Sequence, residues 1–170
     1  MRHIICLNWA LLFAFGVFAG PPTWAAPSPV VISLTKQLPD ADKVEIELVH
    51  VNFETIDKVI DKKTLQGDQA KKVITGWRSL DFNYDASVEC HAPAYRFRFF
   101  SHGALLTEAT VCFRCHNIYF YKYPGAKSPN DHLEVVFGID LTSGQETRPG
   151  KGLQAFLEHL FSPGTPALNT

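Results

Sequence analysis

Behind a short basic start at Arg2 and His3, an apolar run extends from Ile4 to Ala19 and is broken by Gly20-Pro21-Pro22. The run is shorter than a bilayer-spanning helix needs and has the layout of a secretory signal. Thr23 and Ala25 put small residues at the spacing a signal peptidase reads, whereas a cut one residue later would set the bulky Trp24 three positions upstream. Residues 1–25 are therefore expected to be a signal peptide cleaved after Ala25.

Beyond it, residues 26–40 contain Pro27, Pro29 and Pro39 and predict an extended lead-in. From Lys43 to Val51 the apolar Val44, Ile46 and Leu48 alternate with Glu45 and Glu47, the pattern of a strand with one buried face and an acidic face in water. A second strand is expected over Asp57 to Leu65. Gly67-Asp68 then opens a segment whose Ala70, Val73, Ile74 and Trp77 fall on one helical face. Asp68 is placed to cap the first turn, with Lys71, Lys72 and Arg78 on the wet side.

Alternation returns at Tyr95 to Phe100, and Ser101-His102-Gly103-Ala104 predicts a turn into Leu105 to Tyr123, rich in aromatic and β-branched residues. Pro124-Gly125 and Pro129-Asn130 mark a loop before a strand over Leu133 to Ile139. Gly150-Lys151-Gly152 introduces a closing helix bearing Leu153, Phe156, Leu157, Leu160 and Phe161, stopped by Pro163-Gly164. This order predicts an α+β fold: an antiparallel sheet with two helices packed on one face. A single globular domain is expected over 41–163, followed by a short tail at 164–170.

Removing 25 of 170 residues leaves 145, enough for one domain with a real core. The net charge moves from −1 to −2, with acids and lysines interspersed, so no field gathers polyanions and nucleic acid is not an expected partner. No cysteine closely follows the apolar run, and no later stretch has membrane-spanning length. The mature chain is expected to lack a membrane anchor and to reside in a bacterial periplasm or the external medium.

Cys6 leaves with the signal, so Cys90, Cys112 and Cys115 remain. An odd set in an oxidising compartment means a disulfide plus a free thiol, a link to another chain, a metal site or covalent cofactor attachment. Three uses compete. The string Cys112-Phe113-Arg114-Cys115-His116 matches the C-x-x-C-H of c-type haem attachment, with Cys112 and Cys115 as thioethers and His116 as iron ligand. Met1 is the only methionine, so the sixth ligand would be His50, His91, His102, His132 or His159, and the strand-like surroundings differ from the helix that usually precedes such sites. Alternatively, Cys90, Cys112 and Cys115 with His91 or His116 form a tetrahedral zinc set. Residues three apart on a strand face opposite sides, so that set requires a sharp turn or bulge within Cys112 to His116, which holds no glycine or proline. In the third use, Cys90 forms a disulfide with Cys112 or Cys115, stabilising by ~3 kcal/mol and leaving one buried thiol. A redox-active Cys112–Cys115 pair is a variant, although reactive pairs generally sit at a helix start and no helix is expected there. Structural use is the preferred expectation.

His50 and His159 read as an outward strand residue and a helix residue rather than ligands. Tyr119, Phe120, Tyr121 and Tyr123 read as core on one face and cross-strand packing on the other. There is no Ser-His-Asp ordering, Gly-rich phosphate loop or carboxylate pair at a metal-binding spacing, so nothing in the sequence supports an enzyme.

A helix ending near Gly76-Trp77, then Cys90-His91-Ala92-Pro93-Ala94-Tyr95 running into Arg96 to Phe100, a glycine-bearing hairpin turn and Val111-Cys112-Phe113-Arg114-Cys115 running into Ile118 together carry a resemblance. The stretch from Val73 to Phe120 resembles a family of short exported bacterial proteins without an assigned activity, whose members often carry an aliphatic-Cys-aromatic-x-Cys core. The histidine after the second cysteine is not part of that pattern, which makes the haem string a coincidence of one residue. The resemblance implies a cysteine-centred structural element. The expected function is an exported, non-enzymatic binding or structural module with its Cys/His cluster on the central hairpin, and the alternative is a small haem electron-transfer protein.

Overall fold

The computed structural model describes residues 27–52, 55–128, 131–140 and 142–163. The expected signal peptide, Pro129-Asn130 and the tail at 164–170 lie outside the described residues.

The first departure from expectation is in the lead-in, which contains a helix, α1 (Pro29–Leu34). Ser28 caps it by accepting the Val31 N–H, and Pro29 sits in the first turn, where its missing N–H costs nothing. The proline that reads as a helix breaker therefore starts a helix. Two long strands follow, β1 (Lys43–Asn52) and β2 (Thr55–Gln66), then α2 (Gly67–Ser79) and the short β3 (Phe82–Asn83). After a crossing segment come β4 (Tyr95–Ser101), β5 (Ala104–Cys112), β6 (Asn117–Lys122) and β7 (Leu133–Phe137). A small ribbon of β8 (Ile139–Asp140) and β9 (Gln145–Glu146) leads into α3 (Arg148–Leu160). The main sheet has seven antiparallel strands in the order β2-β1-β4-β5-β6-β7-β3. An α+β fold is what the alternating and helical patterns predict, and it is what the chain adopts.

One face of the sheet carries the apolar members of each alternation: Val44 and Ile46, Phe97 and Phe99, Ala109 and Val111, Ile118 and Phe120, all buried. Trp77 of α2 lies on this face with its ring centroid 5.2 Å from Phe97, 5.1 Å from Phe99 and 6.0 Å from Phe120. Its indole N–H would be an orphan there, but it donates to the Leu34 carbonyl of α1 at 3.1 Å. Leu34 and Leu38 are buried against the same cluster, so the lead-in belongs to the core. Arg78, expected on the wet side, instead donates to the Leu38 carbonyl and to Asp40. Asp68 caps nothing: α2 starts one residue earlier, after Gln66, and Asp68 pairs with Lys71 at 3.2 Å. The closing helix likewise begins before the expected glycines, because Thr147 and Pro149 supply its start. Gly150 is needed inside it: a Cβ there would come within 2.9 Å of Gly138 Cα, and Gly138 itself has φ +68°. That paired bare backbone ends β7 before the expected Ile139 and seats α3 against the strand end.

The opposite face is polar. Glu47 is paired across the sheet with Arg96 and Lys62, and Glu45 with Arg98 and Thr64. The expectation of a solvated acidic face is corrected at Glu47, which is only 5% exposed because Arg96 and Arg98 close over it from β4. Arg98 also donates to Glu108 of β5 at 2.7 Å. At the outer edge, β2 is bulged at two points against β1 and carries Lys58, Lys62 and Lys63, features that blunt an edge against strand pairing.

Candidate functional site

The cysteine and histidine cluster forms where the segment between β3 and β4, residues 84–94, crosses the polar face. The sheet below supplies a row of directly opposed residues, Thr110 of β5, Tyr119 of β6 and Glu134 of β7, with Cys112 opposite Asn117 one step along. All project away from the helices, since their neighbours Val111 and Ile118 point into the core.

The strand-like stretch expected over 105–123 breaks between Cys112 and Asn117, where Phe113–His116 make a tight turn. No glycine or proline is needed because His116 takes the left-handed conformation, at φ +54°. Its carbonyl accepts the Phe137 N–H at 2.8 Å, tying the turn to β7. The Cys112 thiol accepts the Cys115 N–H at 3.2 Å, so the first cysteine closes the turn and the second is lifted out of the strand. The earlier hairpin turn, at His102 and Gly103, follows ordinary rules: both residues have positive φ, as a two-residue hairpin loop requires.

Cys115 is joined to Cys90 in a disulfide with a Cα–Cα distance of 5.9 Å, and Cys112 remains a buried thiol. Around that bond the crossing segment is held by a closed set of hydrogen bonds. The Asn117 amide N–H₂ donates to the Cys90 carbonyl at 2.9 Å and to Glu134 at 3.1 Å, which fixes its oxygen as the acceptor toward His91 Nδ1 at 2.8 Å. His91 Nε2 bonds the Thr110 hydroxyl at 2.6 Å. The Val88 N–H donates to Glu134 at 3.1 Å, and the Ala94 N–H to the Val111 carbonyl at 3.1 Å. The imidazole of His91 lies on the Tyr119 ring, which stacks in turn on His132 with centroids 4.4 Å apart.

The five residues proposed as metal ligands are thus distributed over different tasks. Cys90 and Cys115 are consumed by one another, Cys112 closes the turn, His91 is locked to Asn117 and Thr110, and His116 faces Glu146 at 3.9 Å. Among the described residues, no group of three or more His, Cys, Asp or Glu side chains is arranged to hold a metal ion. For the haem string, Cys115 has no thiol left to form a thioether while it is bonded to Cys90. Of the remaining histidines, His50 bonds Asp57 at 2.8 Å on the surface and His102 bonds Ser101 at 3.0 Å. Sequence reasoning missed Asn117, Thr110 and Glu134, the residues that hold the segment. Their signal was the polar parity of the strands, since each falls on the face opposite the apolar series.

No family model matches the chain, and no curated protein or solved structure matches it. Among the described residues no helix is long and apolar enough to cross a membrane.

Proposed function

We propose that this chain is an exported, non-enzymatic binding module in which the Cys90–Cys115 cross-link makes the 84–94 segment a fixed part of the surface. The single observation that carries the reading is the pairing of Cys90 with Cys115 while Cys112 stays buried and reduced. A bond of that kind persists in an oxidising compartment and is rare in a reducing one, in accord with the apolar run and small-residue cut site at the N-terminus. The polar groups around the bond are engaged with one another, and His91, the residue type best suited to acid–base work, is buried between two hydrogen-bond partners and a stacked ring. This arrangement supports rigidity rather than turnover.

The test is to express the full chain in a bacterial host, fractionate the cells and analyse the exported protein. The proposal expects residue 26 at the mature N-terminus, one thiol titrating in denaturant without reductant, and a peptide map linking positions 90 and 115. Three titratable thiols in the exported protein, or a Soret band that survives denaturation, would overturn it.

A further inference from the structure

Where α2 and α3 run over the sheet, they leave an open groove of about 270 Å³ between them. Its walls include Lys72, Val73 and Gly76 of α2 and Gly152, Leu153 and Phe156 of α3. Two of these are glycines in helix interiors, where each costs roughly 1 kcal/mol relative to alanine. Neither has a positive φ, and a Cβ on either would meet no atom within 4 Å. Gly150, by contrast, is required by its approach to Gly138. Backbone conformation and packing therefore give no reason for Gly76 and Gly152. What they share is the groove, whose open space is where their side chains would stand.

Among the residues that line the groove, Lys72 is the one that carries a charge. Lys71 is occupied by Asp68, but its neighbour Lys72 has no ion-pair partner among the described residues, and no acidic side chain lines the walls. Pro149 also borders the groove in the first turn of α3, while Glu146, just before that helix, faces Lys151 and His116 and does not line the groove. Apolar walls of Val73, Leu153 and Phe156 with a single free ammonium call for a slender amphiphile with an anionic head.

We propose that the groove between α2 and α3 is a binding site for a medium-chain alkanoate, its tail lying over Gly76 and Gly152 and its carboxylate paired with Lys72. This deepens the reading of the chain as a binding module but rests on the groove alone, not on the cross-link, so thiol counting and ligand titration fail independently. The probe is decanoate, titrated calorimetrically into the intact protein, with decanol and decyltrimethylammonium as head-group controls and phosphatidylglycerol vesicles as a membrane control. Decanoate is expected to bind at one site per chain and decanol about fivefold more weakly, with Lys72→Ala reducing decanoate affinity by a similar factor. Gly76→Leu and Gly152→Leu fill open space and remove a helix glycine, so both should melt no lower than wild type and yet lose binding. Leucine variants that fold and bind as wild type does would overturn the proposal. Equal affinity for decanol and decanoate, or binding to vesicles with none to free decanoate, would do so too.

Discussion

The imidazole of His91 lies flat on the ring of Tyr119, with centroids 3.7 Å apart and planes 8° from parallel. The contact joins a crossing segment to the middle of the sheet, and both ring nitrogens are satisfied at the same time, by Asn117 and Thr110. Replacing His91 by alanine removes the stacked ring and orphans two polar groups beneath it. The expected loss is about 2–4 kcal/mol in urea unfolding. His91→Phe keeps the stack but not the hydrogen bonds, and should recover only part of that loss.

Cys90→Ser opens the cross-link and leaves the rest of the cluster in place. Stability should fall by about 3 kcal/mol, and the variant should melt at the temperature of the reduced wild type. Cys112→Ala should leave the cross-link intact and cost about 1 kcal/mol, for the packing of a buried thiol and for the Cys115 N–H that loses its acceptor. If Cys112→Ala behaved like Cys90→Ser, the assigned pairing would be wrong.

The polar face makes the fold sensitive to acid. The Lys62 ammonium, bonded to Glu45 at 2.7 Å, holds that carboxyl below its ordinary range; burial opposes the effect and Lys43 adds to it. On the other face, at the edge strand β2, Lys63 lowers Asp61 in the same way. A carboxylate whose folded pKa is depressed contributes stability that is complete above its unfolded value and is lost as pH falls through the folded one. Urea midpoints measured from pH 7 downward should therefore drop below about pH 4.5. Glu45→Gln should be less stable than wild type at neutral pH, and the difference should shrink as acid is added.

His116 bears a side chain in a conformation that glycine adopts more readily. His116→Gly should be neutral or stabilising in thermal melts, whereas His116→Val should lose about 1–2 kcal/mol, since a β-branched residue disfavours that region most.

Much of the fold was legible because burial enforces a period. Val44, Ile46 and Leu48 against Glu45 and Glu47, or Ala70, Val73, Ile74 and Trp77 at helical spacing, declare which side meets the core. What was not legible depends on single conformations or on distant partners. Pro29 reads as a breaker until Ser28 is seen capping the turn it begins. Glu47 reads as a wet residue until two arginines arrive from a strand 49 and 51 positions away. The choice of partner for Cys90 hung on one backbone angle at His116, which sets the turn from which Cys115 meets the crossing segment, and no spacing rule encodes it.

The Cys90–Cys115 bond spans 25 positions and encloses the whole β4–β5 hairpin. A molecule stretched between its two ends would therefore never release that ring: about 85 Å of contour would stay hidden after every other strand had peeled away. Adding reductant during the pull would return the missing length in a single step.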